Sequence, residues 1–407
     1  MQGHVRKRGK RTDGSTKWQA RYADPTDALG LRRIEKTFRT RQDAEDWLTQ
    51  QQASVLSGEH TDPRRADRPF ADAVAAWRET RKPLLAPKTR DRYEDVIRLH
   101  LEPEFGRVPL VAVTREVVKR YFARLQRDGK TAGRHRPGQK LSNGTIRKIH
   151  TVLSSVLSEA VEMGMIRVNP AMRMKLPPPP KRDMCILTAE EIRKLADAIE
   201  PPYRVAVLLA ANTGMRAGEL WALRRQDVDL LRGVIHIRQT VKRDTAAEDA
   251  PPDTVDVYGR EVGPPKNGKP RTISIGKATR RMLSEHLTTP GPGGTGPDAA
   301  VFHTQTGQAV RHGVFMREVF KPAIVGDEDE ERPASLPADK HRLRFHDLRH
   351  TCASLLAAKG YAMLYLKERL GHSSITTTIN LYGHMFPSVE ASLADALDDM
   401  YDDAAEG

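Results

Sequence analysis

The sequence is 407 residues long, with 67 Lys and Arg against 53 Asp and Glu, a formal net charge of +14 and two cysteines. That balance points to a polyanionic partner; nucleic acid, ribosomal assemblies and membrane surfaces are all compatible with it. Cys185 and Cys352 are far apart and form no C-x-x-C. This excludes a disulfide framework and a cysteine-rich zinc site, and fits a reducing cytosol. No run approaches the ~20 apolar residues that span a bilayer, and the first residues lack an apolar signal region. The expectation is a soluble cytoplasmic protein of two or three domains, with no membrane partner.

Residues 1 to 57 read as one small unit. A basic arm holds Arg6, Lys7, Arg8, Lys10 and Arg11. Trp18 to Tyr22 alternates as a strand does, residues 24 to 30 read as a turn, and residues 32 to 38 form a further strand. Thr40 then caps a helix over residues 41 to 55, with Ala44, Trp47 and Leu48 on its apolar face. Four large aromatics, Trp18, Tyr22, Phe38 and Trp47, argue against a disordered tail. Residues 58 to 69 are polar and proline-containing, which marks a linker.

Residues 70 to 176 carry helical periodicity over 70–77, 89–101, 114–127 and 142–163, the last opened by Ser142 or Asn143. The loop from Arg127 to Lys140 includes Arg134 and Arg136, a surface suited to tracking phosphates. Pro177 to Pro180 cannot continue a helix, so residues 177 to 182 form a second boundary. Thr188-Ala-Glu-Glu191 is a capping box that opens the next domain. Beyond it, an apolar helix over residues 205–211 leads to Thr213-Gly-Met-Arg216-Ala-Gly-Glu219. Residues 234–241 alternate as one strand. A turn with Lys266 precedes a further strand over 271–275.

The densest chemistry lies between Arg344 and Tyr382. His346 and Arg349, three apart on a helical run, share one face. His372 follows Gly371, which reads as a helix stop, and Tyr382 comes ten residues later. In order, the chain offers Arg216, Lys266, His346-x-x-Arg349, His372 and Tyr382. Five such pieces at this spacing resemble the tyrosine recombinases of the phage-integrase family. The resemblance covers the whole chain, most specifically from Thr188 to Pro387. One departure stands out: relatives commonly read Leu-x-Trp-x-Asp after the first arginine box, and here Arg225 takes the tryptophan's place.

The resemblance implies a multidomain α+β protein. Residues 1–57 would form a small sheet-plus-helix arm-type DNA-binding domain, and 70–176 an all-α, SAM-like core-binding domain. Residues 183–387 would form a mainly α catalytic domain with a small antiparallel sheet. Residues 388–407 form either a helix that docks on a neighbouring protomer or a solubilising tail. The implied reaction is attack by Tyr382 on a DNA phosphodiester, giving a 3′-phosphotyrosyl bond and a free 5′ hydroxyl, with no cofactor and no metal. Arg216 and Arg349 would hold the non-bridging oxygens, Lys266 protonate the leaving oxygen, His346 assist proton movement at the tyrosine, and His372 hydrogen-bond the phosphate. Lys269 competes with Lys266, and the family pattern favours Lys266. The implied partners are double-stranded DNA at core and arm-type sites, three further copies at synapsis, a host DNA-bending protein and a directionality factor.

Around these residues, Glu219 reads as a brace for the helix that bears Arg216. Glu219 and Asp347 are also the obvious ion-pair partners if the two arginines are structural. His346 and His350, one helical turn apart, have no third metal ligand at suitable spacing, so His350 reads as structural. An integrase for a mobile element is the first reading. A type IB topoisomerase-like nicking-closing enzyme and a non-catalytic DNA-binding regulator are the alternatives, and the intact residue set speaks against the last.

Overall fold

The computed structural model describes residues 3–10, 16–25, 32–56, 67–129, 140–179, 183–246, 250–327 and 331–383. The chain divides into two compact units, Met1–Lys181 and Arg182–Gly407.

The first unit holds two separate cores. Strands β1 (Gly3–Lys10), β2 (Thr16–Ala23) and β3 (Arg33–Phe38) form an antiparallel sheet in that order, followed by helix α1 (Arg41–Leu56). The register sets Val5 opposite Ala20, and Tyr22 opposite Ile34. Strand side chains alternate between faces, so Val5, Trp18, Ala20, Tyr22 and Ile34 share a core with Ala44, Trp47 and Leu48 of α1. The other face is polar: Arg6 Nε donates to Gln19 (2.9 Å), whose amide donates to Glu35 (2.6 Å). The expected basic arm is therefore corrected to an edge strand. Arg6, Lys7, Arg8 and Lys10 lie exposed along β1, and this charge discourages pairing with another edge. Arg11 lies outside the described residues.

The second core is all helical: α2 (Phe70–Thr80), α3 (Pro87–Val96), α4 (Arg115–Asp128) and α5 (Asn143–Glu162). Helix α3 continues through a π-turn, Ile97–Leu101, into Glu102–Phe105. Thr114 and Ser142 cap α4 and α5 by accepting from the backbone N–H groups of Val117 and Thr145. Buried Trp77 donates its indole N–H to Ser155 (2.9 Å), which ties α2 to α5. Lys140 is exposed; Arg134 and Arg136 lie outside the described residues.

The second unit is mainly helical around a small sheet. Helix α6 (Ala189–Asp197) starts at the expected capping box: Thr188 Oγ1 accepts from Glu191 N, and Glu191 accepts from Thr188 N. Helices α7 (Tyr203–Thr213) and α8 (Ala217–Trp221) follow. Strands β4 (Val228–Asp229), β5 (Val234–Ile237), β6 (Thr240–Arg243), β7 (Glu261–Gly263) and β8 (Arg271–Ser274) make two antiparallel sheets, β4-β5-β8 and β6-β7. The single strand expected over 234–241 is thus two. Its first half pairs with β8 and its second with β7, and the direction changes at Arg238-Gln239. Helices α9 (Lys277–Thr288), α10 (His312–Phe315), α11 (Phe345–Ala358), α12 (Met363–Leu370) and α13 (Ile375–Tyr382) follow, and α10 continues through a π-turn, Met316–Phe320, into Lys321–Val325.

Its core gathers Trp221, Phe302, Phe315, Phe320 and Phe345, with Trp221 edge-on to Phe315 at 5.0 Å. Such aromatic pairs add about 1 kcal/mol each beyond the area they bury. Arg225, in the family's tryptophan position, donates to the Leu287 carbonyl (2.8 Å) and so anchors the end of α9 by a polar contact. Both cysteines are free and buried. No helix among the described residues is long and apolar enough to cross a membrane. The C-terminal residues expected to form a docking helix or tail lie outside the described residues.

Candidate active site

Two glycines set up the site. Gly214 ends α7 with φ +68°, and a Cβ there would sit 2.7 Å from Leu370 and 3.4 Å from the sulfur of Cys352. Only glycine combines that left-handed turn with so close an approach. The turn buries Met215 and places Arg216 at the N-cap of α8. Gly371 ends α12 with φ +64°, and a Cβ there would press on the Arg271 side chain at 3.1 Å. That turn delivers His372.

Glu219 and the Gly371 carbonyl then knit four segments together. Glu219 is buried, with 1% of its surface exposed, and accepts from the Arg216 backbone N–H (2.9 Å) and from Arg216 Nη1 (2.9 Å). Arg271 donates two further bonds to it, at 3.0 and 2.7 Å, and a third from Nε to the Arg369 carbonyl (3.0 Å). Burial alone would raise the Glu219 pKa. The Arg271 bonds and charge, with the Arg216 backbone N–H and charge, outweigh it and hold the carboxyl at about 2. The Gly371 carbonyl accepts from Arg216 Nη2 (3.0 Å) and Asn267 Nδ2 (3.2 Å). Asn267 thereby draws the loop between β7 and β8 to the His372 turn. Lys266, its neighbour, lies exposed in that loop, as does Lys269.

Arg349 is 2% exposed. Its Nη1 donates to the Gly214 carbonyl (2.7 Å), and its buried Nη2 has no partner among the described residues. Burial and the neighbouring Arg216 both push its pKa down, yet a guanidinium stays charged at neutral pH. A buried cation with an unpaired donor is costly unless an anion completes it. Asp347, the ion-pair partner expected if Arg349 were structural, does not pair with it. Asp347 accepts instead from Arg344, both from the backbone N–H (2.9 Å) and from the guanidinium (2.7 Å), and so caps α11.

The histidines sit in the same positive field. His372 Nδ1 pairs with the buried Thr378 hydroxyl (2.9 Å). Its pKa falls to about 4 through burial, then Arg349 and Arg216, then His350 and His346. His346, still more than a third exposed, has its pKa lowered by the cover it has and by His350, Arg349 and Arg216. Tyr382 ends α13 fully buried against Ala353 and Leu370. Burial raises its pKa to about 12, against the opposing pull of Arg349. Its hydroxyl lies 2.7 Å from Nδ1 of His350, whose ring meets that of His346 nearly at right angles, 5.0 Å between centroids.

Of the residues singled out in the sequence, Arg216, Glu219, His346, Arg349, His350, His372 and Tyr382 meet in one place. Lys266 is brought beside it by Asn267, and Asp347 supports it from below. Arg271, Asn267 and Thr378 were missed. Arg271 read only as the start of an alternating strand, and nothing local marks a strand residue as the partner of a glutamate 52 positions earlier. No group of three or more His, Cys, Asp or Glu side chains among the described residues could hold a metal ion.

Comparison with known proteins gives a consistent result. The phage integrase family profile matches residues 186–388; the phage integrase N-terminal domain matches 3–57, and the phage integrase N-terminal SAM-like domain matches 70–126. The integrase of Mycobacterium phage D29 is 30% identical over 371 residues, covering 89% of this chain and 89% of that protein. The ICEBs1 integrase of Bacillus subtilis is 24% identical over 314 residues, covering 75% and 76%. A structure of the Tn1549 transposon integrase in complex with a circular intermediate DNA has a TM-score of 0.61 at 20% identity, covering 82% of this chain and 99% of that one. This last likeness concerns the fold.

Proposed function

Because the chain belongs to the phage integrase family, we propose that Tyr382 is the nucleophile with which it breaks and rejoins DNA, and that Arg216 and Arg349 hold the phosphate under attack. The protein is a site-specific tyrosine recombinase that integrates a phage or another mobile element. The observation that carries the residue assignment is the buried Arg349 guanidinium with its unpaired Nη2, beside Arg216, on the helix against which Tyr382 packs.

In-line attack by a phenolate concentrates charge on the non-bridging oxygens. Arginines fixed before reaction stabilise that charge without reorganising, and one such donor is worth about 10²–10³ in rate. Arg216 is pre-aimed by Glu219 and the Gly371 carbonyl. Neutral His372, held by Thr378, has its other ring nitrogen left to donate to a phosphate oxygen. Lys266, on the loop that Asn267 draws to the His372 turn, suits a general acid for the leaving 5′ oxygen when DNA is bound. The bond broken is P–O5′ and the bond formed is P–O of Tyr382, so a 5′ hydroxyl from a second duplex can reverse the step.

The three matched regions suggest the division of labour over the chain: residues 1–57 on arm-type sites, 70–176 on core DNA and 183–387 in catalysis. The exposed basic strand β1 suits the first of these. Exposed Tyr361, Leu364, Tyr365 and Ile379 offer an apolar face that a C-terminal segment of a neighbouring copy could cover, as a tetramer at synapsis would require.

The test is covalent capture. The purified protein is incubated with fragmented DNA from its source, and DNA that survives denaturation on the protein is sequenced, with Tyr382→Phe alongside. Adducts at one short sequence, absent in the variant, are expected. Adducts of equal yield with Tyr382→Phe, or relaxation of any supercoiled plasmid without site preference, would contradict the proposal.

A further inference from the structure

We infer that His350, and not His346, is the group that accepts the phenolic proton of Tyr382 during strand cleavage. The inference rests on the reading of Tyr382 as nucleophile. Among the described residues, one hydrogen bond reaches the Tyr382 hydroxyl from a titratable side chain, and it comes from Nδ1 of His350 at 2.7 Å. His346 has no hydrogen bond to the tyrosine and meets it only through His350, edge to face. A general base must lie within hydrogen-bond reach of the proton it takes, and His350 alone satisfies this here.

The surroundings fit the role. His350 lies one turn after His346 on α11, 9% exposed, with its ring against that of Tyr382. The ionisable groups facing it from its own helix and its N-cap are Arg344, His346, Asp347 and Arg349; α13 contributes Tyr382, and the turn before α13 contributes His372. Burial, Arg344 and Arg349 keep the imidazole neutral at rest, which leaves Nδ1 free to accept from the hydroxyl while Nε2 carries the proton. When the proton crosses, Asp347 on the preceding turn stabilises the imidazolium that forms. The step balances: the Tyr382 oxygen bonds to phosphorus, its proton passes to His350 Nδ1, P–O5′ breaks, and the 5′ oxygen takes a proton from a separate acid. The imidazolium returns its proton to the tyrosine when a 5′ hydroxyl reverses the step. His346, freed from this duty, faces the phosphate side with Arg216 and Arg349, the charges that lower its pKa.

The test uses the full chain and a duplex carrying the core sequence recovered by covalent capture, nicked beside the scissile phosphate so that cleavage is single-turnover. His350→Asn offers an oxygen where Nδ1 stands but cannot take the proton. Its cleavage rate is expected to fall about 10²–10³-fold, with salt-dependent DNA binding unchanged. The loss should persist on a duplex whose leaving oxygen is replaced by sulfur, because a thiolate departs without an acid. The acid limb of the pH–rate profile should vanish in the variant. A rate within about threefold of the parent, or full rescue by the sulfur substrate, would overturn the assignment; the latter would place His350 at the leaving group. If His350→Asn does not fold, nitrogen NMR of labelled histidine in the parent chain decides. An unprotonated Nδ1 on His350 that shifts in Tyr382→Phe is expected, and a protonated Nδ1 would overturn the inference. Adduct formation by Tyr382→Phe would instead remove the nucleophile reading.

Discussion

At the scale of single residues, the site is a set of cations held apart by one carboxylate. Glu219 ties Arg216 to Arg271, and its folded pKa of about 2 lies below the ordinary 4.5. A depressed carboxyl contributes stability that is full above the unfolded pKa and is lost as pH falls through the folded one. The shift corresponds to a contribution on the order of 3 kcal/mol. Glu219→Gln is therefore expected to lower stability by about that much at pH 7 and to flatten the acid limb of unfolding between about pH 4.5 and 2, measured by urea titration at several pH values. A Glu219→Gln variant with unchanged acid dependence would contradict it. The histidines run the other way in charge but not in direction. His372 is neutral when folded, with a pKa near 4 against the usual 6.5, so its contribution is full above 6.5 and fades as pH drops toward 4. An anion between Arg216 and Arg349 should relieve this field. Inorganic sulfate is expected to raise the His372 pKa in an NMR titration, and Arg349→Leu should abolish the rise.

At the scale of elements, function depends on where helices stop. Arg349 is buried because α11 packs on α7, and its Nη1 bond goes to the carbonyl of the glycine that ends α7. Gly214→Ala is expected to cost about 2–4 kcal/mol, from the positive φ and the clash with Leu370, and to depress cleavage more than DNA binding. Equal losses in both would mean general unfolding rather than a displaced Arg349. These helix ends were legible in advance: T-G-M-R and L-G-H each pair a glycine stop with the residue it delivers, and the capping box at Thr188 formed as read. Other features were not. β1 is built from Arg and Lys, which carry no apolar alternation, so its pairing with β2 could not be read locally. The strand over 234–241 broke because its halves serve different sheets, a choice made by β7 and β8. The i, i+4 spacing put His346 and His350 on one face, but which ring meets the tyrosine depends on how α13 docks on α11.

At the scale of the whole chain, residues 1–57 carry 12 Lys and Arg against 7 Asp and Glu, and four of those cations lie exposed along β1 of the amino-terminal sheet. Replacing Arg6, Lys7, Arg8 and Lys10 together by alanine leaves the core of that sheet intact, since all four are exposed. The variant is expected to bind arm-type DNA more weakly, with the slope of log affinity against log salt reduced by up to about 0.9 for each phosphate it no longer neutralises. Cleavage of an isolated core duplex should be unchanged, and an unaltered slope would move arm recognition elsewhere. The central claim, that Tyr382 carries the broken strand, is tested most directly by locating the adduct. Trypsin leaves residues 370–407 as one peptide, because no Lys or Arg follows Arg369, and that peptide holds both Tyr382 and Tyr401. Fragmentation of the nuclease-trimmed, DNA-linked peptide is predicted to place the nucleotide on Tyr382. A nucleotide on Tyr401, or on a residue outside this peptide, would contradict the account.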